Sequence, residues 1–369
     1  MEFCLWRCVG LASGVLKNTP DKYCNAFRSL NGDCCIINYT SIMSIPNPLS
    51  TLLTQKEIII LDGALATELE SHGCDLSNAL WSAEVLISDP SLIYQTHLDY
   101  YRAGADVAIT ASYQATPLGL QKHLGLDDHC SIELIQRSAK LAKQARDAFE
   151  KELEEKEVSP VGLTRNLLVA GSVGPYGAFL ANGSEYRGDY QLPRDEMKAF
   201  HRLRIKALVD SGVDILACET LPSFSEMDAL LELLRDEFPQ AAVWFSFTLR
   251  DSEHISDGTP LKLVVETLDK SDQVVTLGIN CVPEADVLGA LHILRKLTKR
   301  PLAVYPNSGE QWDAKSRNWI GERAQGSRLA ELVKQWHEAG ARLIGGCCRT
   351  TPQDITVVKD AASGWSRKR

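Results

Sequence analysis

Three cysteines lie where they could bind one metal ion together. Cys347 and Cys348 are adjacent and follow an apolar run and two glycines, and Cys281 ends a second, largely apolar run over residues 274–279. Neighbouring thiols resist forming a disulfide with each other because so small a ring strains the bond. Three thiolates at the ends of two strands can bind a soft ion such as Zn2+ and leave a fourth coordination position for a substrate. The spacing therefore predicts chemistry on a thiol.

The two glycines before the cysteine pair support this interpretation. Neighbouring side chains of an extended chain point in opposite directions, so Cys347 and Cys348 reach one ion only if the chain bends. Gly345-Gly346 permits such a bend. Each cysteine taken alone could still be a small buried apolar residue. A closed structural site would need a fourth cysteine or histidine, and none is evident nearby, so the pattern favours an open, catalytic site.

Two carboxylates follow apolar runs in the same way. Glu219 comes directly after residues 215–218, and Asp62 follows the run that ends at Leu61. Either could be an ordinary helix cap or loop residue. A carboxylate at such a position can instead form a charge-assisted hydrogen bond with a substrate ammonium group. Backbone amides near Ala64, Ser112 or Ser308 could hold a substrate carboxylate. Together these residues predict a pocket for an amino acid that carries a thiol.

The elements that must position these residues alternate along the chain. Eight short apolar runs, separated by helical patterns, are typical of parallel strands that are buried on both faces. The predicted strands cover residues 58–61, 107–110, 167–171, 215–218, 243–247, 274–279, 302–305 and 342–344. Eight such units over roughly 300 residues predict an α/β fold of the (β/α)8 TIM-barrel type. An open doubly wound sheet is the alternative, although no Gly-x-Gly-x-x-Gly follows the first strand.

A barrel would bring the candidate residues together. Active sites of this fold lie at the carboxyl ends of the strands. The cysteines, Asp62, Ser112, Glu219 and Asn280 all follow predicted strands. One mouth of the barrel is therefore the predicted active site.

Composition narrows the class of protein. The net charge of −9 argues against nucleic acid or an anionic membrane as a partner. No apolar stretch approaches the roughly 20 residues that span a bilayer. Eleven cysteines, an odd number, fit free or metal-bound thiols better than a disulfide framework. We therefore expect a cytoplasmic enzyme of small molecules, with the oligomeric state left open.

The ends of the chain differ from its centre. Residues 1–50 hold five cysteines and only three acidic residues, without a sustained period. We expect an irregular, poorly ordered N-terminal extension; a transit peptide is the alternative, but the segment is not arginine-rich. Residues 51–362 are predicted to form the single barrel domain, and residues 363–369 a basic C-terminal tail.

The motifs resemble those of the homocysteine S-methyltransferases of the zinc-dependent, cobalamin-independent kind, from about residue 58 to about residue 356. Four short motifs are shared with the betaine- and folate-using relatives. A longer string, which follows Gly174-Pro175-Tyr176-Gly177, is similar to the branch that uses S-methylmethionine or S-adenosylmethionine. The four motifs are Leu61-Asp62-Gly63-Ala64, Cys218-Glu219-Thr220, Gly278-Ile279-Asn280-Cys281 and Gly345-Gly346-Cys347-Cys348, and the longer string is Asn182-Gly183-Ser184-Glu185-Tyr186-Arg187-Gly188-Asp189-Tyr190.

The resemblance implies a function and a set of site residues. It implies zinc on Cys281, Cys347 and Cys348, and methyl transfer from a sulfonium donor to homocysteine, which gives methionine. S-methylmethionine is the first expected donor and S-adenosylmethionine the second. The expected substrate-binding residues are Asp62, Gly63, Ser112, Glu219 and Asn280, the last also beside the metal.

Three other functions stay open at this point. A selenol acceptor would use the same residues, since selenols are similar soft nucleophiles. A barrel without catalysis could sense zinc or oxidation. A metal-dependent hydrolase would normally need histidine ligands, which the predicted strand ends lack.

Overall fold

The computed structural model describes residues 27–28, 34–35, 45–75, 80, 82–155, 166–313 and 318–365. By its contacts, the chain divides into two units, Met1–Ser44 and Ile45–Arg369. In the first unit, the short strands Phe27–Arg28 and Cys34–Cys35 pair antiparallel. The expectation of a poorly ordered extension falls mostly on residues outside the described ones, as does most of the predicted C-terminal tail.

Eight parallel strands build the second unit. They run Ile59–Ile60 (β1), Val107–Ile109 (β2), Leu168–Val173 (β3), Ile215–Leu221 (β4), Val243–Phe247 (β5), Val274–Asn280 (β6), Leu302–Tyr305 (β7) and Ala341–Ile344 (β8). Each pairs with its neighbours in chain order, and β8 pairs with β1. A bridge between Leu61 and Val107 joins β1 to β2. The predicted (β/α)8 barrel is confirmed, and the open-sheet alternative is wrong.

Helices connect the strands. They are Ser50–Gln55 (α1), Leu65–Ser71 (α2), Ser82–Ser88 (α3), Pro90–Ala103 (α4), Pro117–Leu124 (α5), Asp128–Glu155 (α6), Tyr176–Leu180 (α7), Arg194–Asp210 (α8), Phe224–Glu237 (α9), Leu261–Leu268 (α10), Glu284–Leu297 (α11), Gly326–Glu338 (α12) and Pro352–Ser363 (α13). Two short hairpins pair Leu249–Asp251 with His254–Ile255 and Gln311–Asp313 with Asn318–Ile320. None of the helices in the described part of the chain is long and apolar enough to cross a membrane.

Glycines end two of the helices that lead into strands. Gly104 follows α4 with φ +118°, and Gly340 follows the C-terminal end of α12 with φ +107°. A left-handed backbone at this position satisfies the last helical carbonyls, and glycine adopts it without a steric penalty. These turns aim each following strand into the sheet.

The barrel interior explains the continuous apolar runs. Ile59, Val107, Trp244 and Leu343 belong to one buried cluster of strand side chains, and a larger cluster fills the space between strands and helices. Strands covered on both faces have no solvent side, so polar alternation is absent. Leu49, which is fully buried, also joins the interior cluster, and the contact-defined unit accordingly starts before the predicted boundary at residue 51.

Candidate metal and substrate site

The three predicted cysteine ligands meet at the carboxyl ends of β6 and β8. The sulfurs of Cys281, Cys347 and Cys348 lie within 4.8 Å of one another. The Sγ atoms of Cys281 and Cys348 are 3.6 Å apart. Cys281 is buried and the other two are partly buried. Such a cluster of soft ligands, open on one side, could hold a metal ion.

Backbone geometry brings the cysteines to this arrangement. A side chain at Gly346 would place a Cβ 2.4 Å from Thr350 Oγ1, so the loop after β8 packs closely only because glycine is there. The Cys347 amide donates to the carbonyl of Pro306 at 2.8 Å, and the Ser308 amide donates to Cys348 O at 3.1 Å. The loops after β7 and β8 are thereby joined. The sequence interpretation of Gly345-Gly346 as a bend agrees with this loop.

Cys281 has an unusual backbone. Its φ is +54°, a left-handed conformation that costs a non-glycine residue roughly 1–2 kcal/mol. The Cys281 amide donates to Tyr305 O at 3.1 Å, just beyond the pairing of Asn280 with Tyr305 in the β6–β7 ladder. The turn directs the thiol towards the cysteine pair rather than along the strand.

The thiols share their protons unequally. Hydrogen bonds from Cys281 and Cys347 hold the pKa of Cys348 well below its usual range. Hydrogen bonds to Cys281 and Cys348, together with burial, raise the pKa of Cys347 well above it. A thiolate is the form that binds metal, and the lowered pKa of Cys348 favours that form.

Glu219 lies in β4 with its carboxyl group buried under the barrel mouth. Ser172 Oγ donates to Glu219 Oε1. Burial raises the pKa of Glu219 to about 7, against hydrogen bonds from Ser172 and Tyr305 that lower it. Cys281 also raises this pKa, as a smaller effect. Glu219 and the cysteines lie at the carboxyl ends of β4, β6 and β8, at the same mouth of the barrel.

Asp62 is the second buried carboxylate. The backbone amide of Ile109 donates to Asp62 Oδ2 at 2.8 Å. Burial raises the pKa of Asp62 well above its usual range, and the nearby Glu219 charge adds to this, while the Ile109 amide opposes it. Two buried carboxyl groups that repel each other form a strong site for a cation, because a cation relieves both the burial and the repulsion.

Ser112 and Gly63 support these carboxylates. Ser112 Oγ donates to Ser172 O at 2.8 Å and lies 2.7 Å from Thr110 Oγ1. Gly63 has no room for a side chain, since a Cβ there would lie 2.9 Å from Thr350 Oγ1 and from the Tyr100 ring. Both residues lie at the mouth where the sequence predicted them, and the Ser112 hydroxyl is hydrogen-bonded to other residues of the chain.

Asn280 is turned towards β4. Its Oδ1 accepts from the Thr220 amide at 2.8 Å, and its Nδ2 donates to Thr220 Oγ1 at 2.7 Å. Thr220 has φ +59° and directly follows Glu219. The side chain of Asn280 thus holds Thr220, which has a left-handed backbone, in place next to Glu219.

A segment after β3 lies at the mouth. From the sequence, its Tyr186 is a candidate aromatic face for a sulfonium, with simple lining of the mouth as the alternative. The 3₁₀ helix Ser184–Tyr186 places the hydroxyl of Tyr186 3.5 Å from Cys281 Sγ. Thr248 Oγ1, beyond β5, donates to the carbonyl of Glu185 at 3.3 Å. We call residues 182–190 the strap. Its motif resembled the family, but nothing in the local pattern indicated this distance to the cysteines.

A buried polar network lies behind the strap. Glu226 Oε1 accepts from the Tyr176 amide and lies against His201 Nε2, both at 2.7 Å, and Glu226 Oε2 accepts from the Tyr190 hydroxyl. Arg204 donates to the carbonyls of Tyr113 and Gly174 at 2.8 and 2.5 Å. The network fixes the loops after β2 and β3, and sequence analysis missed it.

An eight-stranded parallel barrel with three thiols and two buried carboxylates at the carboxyl ends of its strands has the architecture of a barrel enzyme with a candidate thiolate metal centre. Residues 59–362 match the family model for homocysteine S-methyltransferase. The homocysteine S-methyltransferase of Escherichia coli K12 is 57% identical over 317 residues, which cover 86% of this chain and 99% of that protein.

Two further relatives agree with this match. The homocysteine S-methyltransferase YbgG of Bacillus subtilis is 46% identical and aligns over 87% of this chain and 98% of its own length. The crystal structure of the E. coli homocysteine methyltransferase MmuM in its metallated form superposes with a TM-score of 0.75 at 55% identity, over 85% and 99% of the two chains. The chain belongs to the homocysteine S-methyltransferase family, and it is an enzyme that transfers a methyl group to homocysteine.

Proposed function

We propose that the enzyme transfers the methyl group of a sulfonium donor to homocysteine at a zinc ion held by Cys281, Cys347 and Cys348. The observation that carries the proposal is the group of three sulfurs within 4.8 Å, beside two buried carboxylates. Neither feature is needed for packing. Together they match the two ends of homocysteine, a thiol and an ammonium group.

The donor set fits zinc. A tetrahedral ion with Zn–S bonds of about 2.3 Å keeps its sulfur ligands roughly 3.8 Å apart. The Cys281–Cys348 separation of 3.6 Å is close to this distance. No fourth cysteine or histidine joins the group among the described residues, which leaves one position for a substrate thiol. When bound, zinc supplies the Lewis acidity that keeps the homocysteine thiol, normally protonated near neutral pH, in its thiolate form.

The chain's own residues orient the acceptor. Glu219 and Asp62 bind the ammonium group of homocysteine, since a cation relieves the repulsion between these buried carboxyl groups. Asn280 keeps the backbone after Glu219 in place through Thr220. The Ala64 amide, one of the groups expected from the sequence to hold the substrate carboxylate, instead donates to Thr350 O at 3.3 Å and to Thr350 Oγ1 at 3.1 Å. The orientation therefore rests on the contact of the two carboxylates with the ammonium group. This orientation converts an encounter in solution into a positioned reaction.

Methyl transfer is then a single displacement. The sulfur of homocysteine attacks the methyl carbon of the sulfonium in line, and a new S–C bond forms as the old one breaks. The electron pair of the broken bond stays on the donor sulfur, which leaves as a neutral sulfide. No proton has to move on the methyl group. Tyr186, whose hydroxyl lies 3.5 Å from Cys281 Sγ, is the aromatic residue that we propose attracts the sulfonium charge.

We also propose that the enzyme works in the cytoplasm. The support is the set of free thiols among the described residues, including the exposed Cys130 and the three candidate ligands. A reducing compartment keeps such thiols available for metal.

The test is methionine formation from homocysteine by purified, zinc-loaded protein. S-methylmethionine and S-adenosylmethionine are supplied in turn, each with a chelator control. We expect chelator-sensitive turnover, with the larger kcat/KM for S-methylmethionine. Chelator-resistant turnover would contradict the zinc site. Turnover with selenocysteine in place of homocysteine, at a higher kcat/KM, would change the acceptor and leave the mechanism as it is.

A further inference from the structure

Glu185 in the strap has a carboxylate oxygen that the described residues leave without a hydrogen-bond partner. The side chain is 6% exposed, and Oε2 is buried and unpaired among those residues. Burial raises the pKa of this carboxyl group. Buried carboxylate oxygens are normally paired, because an unpaired one loses its hydration without compensation. Backbone hydrogen bonds of Glu185 and Gly183 act on the carboxyl group and lower its pKa, but Oε2 itself has no partner among the described residues.

The carboxyl group lies near the reaction centre. Glu185 directly precedes Tyr186, whose hydroxyl is 3.5 Å from Cys281 Sγ. The charge of Cys281 raises the pKa of Glu185, and the charge of Glu185 raises that of Tyr113. These effects agree with the position that the strap gives Glu185, next to the residue whose hydroxyl contacts Cys281, at the mouth where we propose that both substrates meet.

The position of Glu185 is fixed by its backbone. Thr248 donates to its carbonyl at 3.3 Å, and the Gly188 amide donates to Ser184 O at 2.8 Å. A Cβ at Gly177 would lie 2.7 Å from the Glu185 amide nitrogen, so the strap rests directly on the loop after β3. The unpaired oxygen is a feature of an anchored segment that packs on two strand ends.

The nearest basic residue does not neutralise it. Arg187 lowers the pKa of Glu185 only as a lesser effect after burial. Its guanidinium group is half-exposed and pairs with Asp189 at 2.6 Å. The other titratable groups around it are acidic: the thiols of the cysteine cluster and the carboxyl groups of Glu219 and Asp62. Burial raises the pKa of both carboxyl groups, and an approaching cation would favour their ionised forms. A cation brought by a ligand is the partner that this arrangement favours.

We propose that Glu185 binds the ammonium group of an amino-acid-type sulfonium donor. This inference rests on the proposed function, and it assigns the donor a carboxylate that is separate from the acceptor's pair, Asp62 and Glu219. The donor would thus be recognised as an amino acid and not merely as a sulfonium ion.

The ammonium group is a better partner for Glu185 than the sulfonium centre. A sulfonium has no N–H to donate to Oε2, whereas an ammonium group has three. The sulfonium charge disappears during the transfer, so a carboxylate beside it would stabilise the ground state more than the transition state. The ammonium charge persists throughout, and a contact there aids binding without opposing the chemistry.

The experiment compares two donors that differ in the ammonium group. S-methylmethionine has it, and dimethylsulfonioacetate, a smaller sulfonium, lacks it. The variant is Glu185→Gln, which keeps the shape and removes the charge. Its matched control is Asp189→Asn, which removes a charge from an exposed residue of the same strap. Calorimetry measures the Kd of S-methylmethionine on zinc-loaded protein without homocysteine, and steady-state kinetics give KM and kcat for each donor.

For Glu185→Gln we expect the Kd and KM of S-methylmethionine to rise about 10- to 100-fold, the loss of one charged hydrogen bond. The KM of homocysteine, the zinc content and the kinetics with dimethylsulfonioacetate should stay within about threefold, as should every parameter of Asp189→Asn. If the glutamine variant does not fold, Glu185→Asp takes its place in the test. The aspartate keeps the charge but shortens the side chain by one methylene group, so it should lose affinity for S-methylmethionine in the same selective way.

Equal losses for both donors, or an unchanged Kd and KM for S-methylmethionine, would overturn the role of Glu185. The proposed function can fail separately. Wild-type protein that binds S-methylmethionine in a Glu185-dependent way, yet forms no methionine from it, would retain the binding role and contradict the methyl-transfer proposal. Turnover of S-methylmethionine with a normal KM in Glu185→Gln would support the methyl-transfer proposal and contradict the binding role of Glu185.

Discussion

Asn280 binds Thr220 through both polar atoms of its side-chain amide, at 2.8 and 2.7 Å. The pair spans from β6 to β4, with β5 between them. Asn280 directly precedes Cys281, and Thr220 directly follows Glu219. A single amide therefore sets the spacing between a candidate metal ligand and the carboxylate proposed to bind substrate.

Asn280→Ala should lower both the stability of the fold and the apparent affinity for homocysteine. It leaves the buried Thr220 amide without its acceptor, and we expect the free energy of unfolding to fall by about 2–3 kcal/mol. The KM for homocysteine should rise about tenfold or more, because the backbone beside Glu219 relaxes. Urea denaturation and steady-state kinetics measure both. The control is Asn47→Ala, which removes the 2.9 Å hydrogen bond from the Leu49 amide to Asn47 Oδ1 in the segment before β1. This variant should leave the kinetics unchanged.

Cys347→Ala should abolish zinc retention and methyl transfer while the barrel stays folded. Two sulfurs remain, and a two-thiolate site holds zinc too weakly to survive dialysis. Metal analysis, circular dichroism and the methionine assay test the three parts. Cys130→Ala removes an exposed thiol from α6 and should change none of them. Full activity in Cys347→Ala would rule out the mechanism.

Glu219→Gln should weaken catalysis and strengthen the metal-free fold. The pKa of about 7 exceeds the usual 4.5, so the folded state binds the extra proton and stability falls as pH rises from about 4.5 to about 7. The glutamine variant lacks this loss and should be more stable than wild type at pH 8, by up to about 3 kcal/mol. Its kcat/KM for homocysteine should fall about 10- to 100-fold.

Denaturation of metal-free protein at pH 5 and pH 8 checks the sign of this effect. Glu237→Gln removes a half-exposed carboxylate that pairs with Arg202 on the helix surface, and it should alter stability by less than about 1 kcal/mol. A wild-type protein that gains stability on going from pH 5 to pH 8 relative to Glu219→Gln would contradict the prediction.

His97→Leu should stabilise the protein most at low pH. His97 is fully buried in α4, neither ring nitrogen has a hydrogen-bond partner among the described residues, and burial lowers its pKa to about 4. The unfolded state therefore binds the proton first as pH falls below about 6.5, and stability is lost at about 1.4 kcal/mol per pH unit down to about 4.

The measurement is the difference in unfolding free energy between His97→Leu and wild type, in metal-free protein. This difference should be about 2 kcal/mol larger at pH 5 than at pH 7.5. Ile93→Val on the same helix should cost about 1 kcal/mol at both pH values. A pH-independent difference for His97→Leu would show that the histidine is not buried in its neutral form.

The barrel was predictable because its strands are hidden on both faces. The strands Val243–Phe247 and Leu302–Tyr305 begin and end at the residues predicted from the sequence. Strand β4 runs on to Leu221, beyond the predicted end at residue 218, with an irregularity between Cys218 and Leu221 where Thr220 takes a left-handed backbone. Polar residues there interrupt the apolar pattern, which is why local sequence ends the strand too early.

The grouping of the three cysteines was predictable from the sequence, and the contacts around them were not. In a (β/α)8 barrel the carboxyl ends of all strands lie at one mouth, so the sequence alone predicts that Cys281 and Cys347 lie close together. Glu226 could not be recognised, because it follows Ser223 by three residues at the start of α9 and has the pattern of a helix capping box. Its carboxylate instead lies against His201 and accepts from the Tyr176 amide, contacts that only the three-dimensional packing reveals.

The left-handed backbones at the mouth bear on attempts to engineer this enzyme. Three of the four non-glycine residues with positive φ among the described residues lie near the carboxyl ends of barrel strands: Thr220 near the end of β4, Cys281 directly after β6, and Arg349 in the segment after β8. Glycine would relieve each of them, by roughly 1 kcal/mol or more. A library selected for heat tolerance alone would therefore be drawn to Cys281, a proposed metal ligand, and to Thr220, which Asn280 holds beside Glu219. Selection for thermal robustness in this scaffold has to include turnover at every round.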